Sequence, residues 1–144
     1  MLWRDCRGYS MTFWAIFIGL VLIPVMSLAI ELGRYFYAIA EIQKAADTAA
    51  VAASAEFDQQ IFQETGRLVS TSKTWASAQS YVNLNTVGLS AKGVDSYVTN
   101  IQVNGGDNTV RVDVSADLSI LFTSVVPKVL VTQTGVAKLR ALTY

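Results

Sequence analysis

Three patterns of apolar and polar positions divide the chain. From Tyr9 to Ile30 there are 22 residues without a charged side chain. As a helix they span roughly 33 Å, the hydrocarbon thickness of a bilayer. From Glu31 the pattern changes to a helical stripe. Leu32, Tyr35, Ile39, Ile42, Ala46, Ala49 and Ala53 recur at three- and four-residue spacing, while Glu41, Lys44, Asp47 and Thr48 fall mostly elsewhere. No proline or cap separates the two stretches, so they predict one continuous helix from about Tyr9 to Phe57. Within it Pro24 is expected to kink the axis or open one hydrogen bond. Bulky residues at Tyr35, Phe36 and Tyr37 give way to near-pure alanine from Ala45 to Ala55, a surface small enough for a sheet or another helix to approach closely.

The third pattern is alternation. Asp58–Glu64 reads as a short continuation of helix broken at Thr65-Gly66. Lys73–Leu84 reads as an amphipathic helix with Trp75, Ala78, Tyr81 and Val82 at helical spacing, and 85–93 reads as loop. Then Tyr97, Thr99, Ile101 and Val103 alternate with Val98, Asn100 and Gln102. Asn104-Gly105-Gly106-Asp107-Asn108 marks a hairpin turn, with glycine supplying positive φ. Val110, Val112, Val114, Ala116 and Leu118 alternate with Arg111, Asp113, Ser115 and Asp117, a strand with one buried and one wet face. Ser119–Pro127 is an apolar connection with room for a helical turn around Phe122, and Val129–Arg140 is a third strand. Three strands gain a core only when something covers their apolar face. The expected fold is therefore α+β: a long N-terminal hydrophobic helix with a small antiparallel sheet, at about 94–140, packed on its outer half.

Composition narrows the chemistry. The 144 residues balance 11 Lys and Arg against 11 Asp and Glu, so there is no basic field for nucleic acid. Charged residues make up 15% and apolar residues 52%, which excludes intrinsic disorder. There is no histidine, hence no Ser-His-Asp or Cys-His nucleophile and no imidazole metal site. The single Cys6 makes neither an internal disulfide nor a thiolate cluster, and it lacks a lipobox-like setting. Asp107, Asp113 and Asp117 match no calcium loop, and Asp113 and Asp117 lie about 13 Å apart on one strand, so they read as a solvated face. Gly105-Gly106 precedes no helix and is a turn rather than a phosphate loop. No catalytic constellation, cofactor site or metal site is expected.

The N-terminus admits three readings. Arg4 and Arg7 outweigh Asp5 before the run, which places Met1 in the cytoplasm and residues 31–144 outside. The run is then a plain anchor, or a secretory signal cut after Ala29 in Ser27-Leu28-Ala29, or a retained helix behind a short charged leader cut at Gly8. Glu31 and Arg34, at i,i+3 spacing, and Tyr35 and Tyr37 mark the expected membrane edge.

Over about residues 7–57 the chain resembles the TadE/TadG-like proteins of the tight adherence (Tad/Flp) type IV pilus systems. The resemblance rests on Arg7-Gly8, the apolar run from Tyr9, Gly33-Arg34-Tyr35-Phe36-Tyr37, and Ile42-Gln43-Lys44-Ala45-Ala46-Asp47-Thr48-Ala49-Ala50-Val51-Ala52-Ala53. It implies a type IV pilin-like fold and leader removal at the Gly8–Tyr9 bond by a membrane aspartic prepilin peptidase. It also implies assembly with other pilin subunits through a helix that includes Phe13, Trp14, Pro24, Ala46, Ala49 and Ala53. Major pilins usually carry glutamate at the fifth mature position, which here is Phe13. That departure favours a minor pilin or assembly component over a major filament subunit. The implied organisation is a leader at 1–8, a helix at 9–57 with its transmembrane and assembly segment at 9–30, and an α+β domain at 58–144. The implied role is a structural, non-enzymatic pilus subunit. It would sit in the inner membrane with its C-terminal domain outside, and reach the cell surface once assembled. A major pilin, and a membrane-anchored or secreted adhesin outside any filament, are the alternatives.

Overall fold

The computed structural model describes residues 7–119 and 128–139. The connection at 120–127, where a helical turn around Phe122 is expected, and the chain beyond residue 139 lie outside the described residues. The elements are α1 (Arg7–Phe17), a π-helical turn (Ile18–Leu22), α2 (Ile23–Ala55), α3 (Gln59–Thr65), α4 (Thr74–Asn85), α5 (Val87–Ser90), β1 (Ser96–Asn104), β2 (Thr109–Leu118) and β3 (Val129–Lys138). They form two compact units, Met1–Phe36 and Tyr37–Tyr144. The layout is a long apolar N-terminal helix followed by a small three-stranded antiparallel sheet, an α+β, pilin-like arrangement.

In the first unit Pro24 neither ends the helix nor simply deletes one bond. The turn before it widens, and the Ile23 amide bonds the Ile18 carbonyl, five residues back. Proline has no N–H for the carbonyl four residues earlier and its ring crowds that carbonyl. A π turn enlarges the helix there and keeps the remaining donors paired, which is why the helix continues.

In the second unit the core lies between the alanine face of α2 and the inner face of the sheet. Strand order is β1-β2-β3. In β2, Val110, Val112, Val114 and Ala116 are fully buried. In α2, Ala38, Ile42, Ala45, Ala46, Ala49, Ala50 and Ala53 are buried, while Leu32 is half exposed, so the buried stripe starts later than the periodicity suggests. A close approach is at Gly135, which pairs with Val112 in the middle of β3. A Cβ at this position would fall on the backbone carbonyl of Ala46 and within 2.6 Å of the Asp47 nitrogen. Only a glycine lets helix and strand meet backbone to backbone.

Both outer strands are met by a helical glutamine. The Val98 amide donates to Gln79 Oε1 at 2.8 Å, and Gln79 Nε2 donates to the Ser96 carbonyl at 3.5 Å. The α4 side chain thus mimics a strand along β1. On β3, Gln43 Nε2 donates to the Thr134 carbonyl at 3.0 Å. These amides satisfy backbone groups that an edge strand would otherwise leave open to another chain.

Several local expectations change. In β1 the register shifts between Val98 and Asn100. This bulge moves Val98 to the buried face and leaves Tyr97 40% exposed, so one alternation cannot describe the strand. At the hairpin the positive φ belongs to Asn108, at 52°, and not to Gly105 or Gly106. Asn108 Oδ1 accepts from the Leu68 amide and its Nδ2 donates to the Gly66 carbonyl, both at 3.0 Å. Gly105 is needed instead for close approach, because a Cβ there would lie 3.1 Å from the Leu68 carbonyl oxygen. The expected loop at 85–93 contains α5. In α4, Ala78 and Val82 are buried but Trp75 and Tyr81 remain about half exposed. The break at Thr65-Gly66 appears as expected. Asp58 caps α3 through the Gln60 and Ile61 amides, Phe57 packs on Phe62 as a staple, and Gly66 closes the helix at φ 66°.

Candidate functional site

The segment with a physical reason to meet something outside its own chain is the first unit. Ser10–Ala55 contains a stretch long and apolar enough to cross a membrane, and none of that stretch is buried. Phe13 is 59% exposed and Trp14 56%. With Phe17 they form a ring cluster: Phe13–Trp14 6.3 Å edge-on, Trp14–Phe17 5.8 Å edge-on, Phe13–Phe17 6.5 Å stacked. Bare apolar surface on this scale is unfavourable in water at about 25 cal/mol per Å² and neutral against lipid tails or another apolar helix. The Gly8–Tyr9 bond falls in α1. Pro24 lies two residues after the end of the π turn, with Ile23 between.

At the end of the run, Arg34 Nη1 donates to Glu31 Oε2 at 3.4 Å, and the Tyr35 and Phe36 rings meet edge-on at 6.1 Å. In the second unit Tyr37 is half exposed, and Lys92 Nζ lies 5.0 Å from its ring centroid in a cation–π contact.

Ala46, Ala49 and Ala53 have a different environment from Phe13 and Trp14. All three are buried within the second unit, and the structure places the chain's own sheet against the alanine face. The sequence alone left open whether a sheet or a neighbouring helix packs there.

The outer face of the sheet carries a polar network. Thr134 Oγ1 donates to Asp113 Oδ1 at 2.6 Å, Asn100 Nδ2 donates to Asp113 Oδ2 at 3.1 Å, and Arg111 Nε lies 3.5 Å from Oδ1. The Thr134 hydroxyl holds the Asp113 carboxyl below its usual 3.8; partial burial opposes this, and Asn100 and Arg111 add to it. Asp107 is used in the hairpin, where it accepts from Asn104 Nδ2. Among the described residues no three His, Cys, Asp or Glu side chains stand together as metal ligands would. A cleft of about 340 Å³ is lined by Ser70, Thr71, Ser72, Thr74, Trp75, Ile101 and Val103. Its Thr71 and Thr74 hydroxyls already donate to the Glu56 carbonyl, tying the start of α4 to the end of α2, and none of its lining side chains is ionisable.

Sequence reading missed the π turn, the bulge beside Thr99, the two edge glutamines and the role of Gly135. Of these only Gly135 carries a sequence signal, a lone glycine inside an apolar alternation.

Comparison with curated proteins finds no match, and comparison with solved structures finds none. Comparison with family models does: residues 8–56 match the Tad family, Flp pilus-assembly TadE/G-like. The matched stretch, about a third of the chain, takes in the apolar run, the aromatic edge and the buried alanine face.

Proposed function

We propose that the protein is a minor pilin or assembly component of a Tad-type pilus. It is held in the inner membrane by its first unit, with the sheet domain outside, and it joins other pilin subunits through the exposed part of its N-terminal helix. The observation that carries this reading is the coincidence of the TadE/G-like match at 8–56 with an apolar helix whose membrane-length stretch is unburied by its own chain. Phe13 at the position where major pilins usually carry glutamate favours the minor role. Without that carboxylate, a neighbour's N-terminal amine would lie uncompensated in an apolar filament core, a costly arrangement. Phe13, Trp14 and Pro24 belong to the surface offered to partners. Ala46, Ala49 and Ala53 support it from within, because the sheet they carry fixes the domain on the helix. The role needs no catalytic group, cofactor or metal.

The test is leader removal at Gly8–Tyr9. A peptidase groove shaped for glycine has no room for a branched side chain, so Gly8→Val should leave the chain intact where the wild type begins at Tyr9. Intact-mass measurement on membrane extracts from cells carrying the peptidase reads this directly. A wild-type chain beginning at Met1 or Ile30, or the same shortened product from both proteins, would overturn the prepilin reading.

A further inference from the structure

The chain has five asparagines, at 83, 85, 100, 104 and 108, and only Asn104 is followed by glycine. The pair stands where β1 ends and the hairpin turn begins. An asparagine side chain can close on the next main-chain nitrogen to form a five-membered ring, and a glycine there has no side chain to obstruct the closure. Here the fold holds the side-chain amide in one orientation. Asn104 Oδ1 accepts from the Gly106 amide at 2.9 Å and from the Asp107 amide at 3.4 Å. Its Nδ2 donates to Asp107 Oδ2 at 3.1 Å. The Gly105 amide, whose nitrogen closes the ring, donates to no group among the described residues. Asn104 is exposed, so water reaches it. The nearest asparagines are placed differently. Asn100 sits within β1 before the branched Ile101, with Nδ2 on Asp113, and Asn108 holds the 66–68 segment through both of its side-chain polar atoms.

We propose that Asn104 is a self-modification site, at which the folded hairpin converts a neutral side-chain amide into a carboxylate. Solvent hydroxide takes the Gly105 amide proton, and the freed nitrogen pair adds to Asn104 Cγ. Negative charge develops on Oδ1, where the Gly106 and Asp107 amides already point, an arrangement that stabilises such an intermediate. The Cγ–Nδ2 bond breaks, Nδ2 takes a proton from water and leaves as ammonia, and a cyclic imide remains. Water then adds to either imide carbonyl and the ring C–N bond opens, leaving aspartate or isoaspartate. Water is the sole co-reactant. Aspartate at this position turns the contact with Asp107 from an attraction into a like-charge repulsion. The isoaspartyl product lengthens the main chain by one carbon beside the Asn104–Thr109 pair that ends the β1–β2 ladder. Older copies of the domain therefore carry one more negative charge and a looser turn.

The test incubates the full chain in detergent micelles, in mildly alkaline buffer made with heavy-oxygen water, with and without urea. Peptide mass spectrometry then locates the label and separates aspartate from isoaspartate. The expected result is label at position 104 in both products, appearing at least as fast in the folded chain as in urea, with the other four asparagines unlabelled. Asp107→Ala releases Nδ2, and should slow the folded chain several-fold while leaving the rate in urea unchanged. Asn104→Gln, which cannot close a five-membered ring, should abolish the label. Slower conversion in the folded chain than in urea would mean that the fold protects the amide, and would overturn the inference. So would a folded rate untouched by Asp107→Ala, or label that persists in Asn104→Gln.

Discussion

At the scale of single residues, the arrangement of the domain depends most on a side chain that is missing. Gly135 lets the backbone of β3 touch the backbone of α2 at Ala46. Gly135→Ala places a methyl where a carbonyl already is, and no rotamer change removes the conflict. The helix must lift from the strand or the strand must bend. Overpacking of this kind costs about 1–3 kcal/mol, and a contact with rigid backbone belongs at the upper end. A chemical-denaturation midpoint lowered by that free energy divided by the slope, with the slope itself unchanged, is the expected outcome. The neighbouring Val136→Ala, at a side chain 61% exposed on the other face, should stay within about 0.5 kcal/mol of wild type. Asn108 shows the converse. Its positive φ is legible as an asparagine preference in a turn, but its two bonds to the 66–68 segment are not, because they join residues about 40 positions apart.

At the scale of elements, what could be read from the sequence was set by periodicity, and what could not was set by interruptions of it. The alternation in β2 holds except at Ser115, expected on the wet face but 2% exposed, its hydroxyl 2.7 Å from that of Thr132. The alternation in β1 fails at the bulge, since one inserted residue exchanges the faces and leaves the pattern after it equally regular. The long helix is legible from its apolar run and stripe, whereas the π turn is not, because its cause lies in how the bonds around Pro24 rearrange. The outer face of the sheet offers a pH test. Asp113 is held below 3.8 by Thr134, Asn100 and Arg111. A carboxylate with a depressed folded value contributes stability that is fully present above its unfolded value and lost as pH falls through the folded one. Melting temperature should therefore drop as pH falls below about 3.8, and Asp113→Asn should lower it near neutrality while flattening that acid limb. Parallel pH profiles for the two proteins would show that the network contributes nothing.

At the scale of the whole molecule, the stretch long and apolar enough to cross a membrane and the buried alanine face follow one another in the N-terminal helical run, and the buried face begins at Ala38, just inside the second unit. A chain starting at Gly33 drops the uncharged run and keeps every buried residue of α2. It should fold as a monomer with mixed helix and strand signals. A chain starting at Phe57 keeps the sheet and loses its cover, leaving Val110, Val112 and Val114 open at about 25 cal/mol per Å² of lost burial. Against a total stability of about 5–15 kcal/mol, that loss should give an unfolded or aggregating product. Circular dichroism melts and size-exclusion profiles of the two chains decide the matter, and a cooperative melt from the Phe57 chain would mean the sheet has a core of its own. The contact at Gly135 also governs how such a protein can diverge. Where two side chains touch, a lineage can enlarge one after shrinking the other, so the pair drifts together. Here the obstacle is the main chain of residue 46, which every amino acid brings unchanged, and no second substitution in the helix can make room. The alanines around it remain free to trade volume with the valines opposite, while position 135 stays closed to any such exchange.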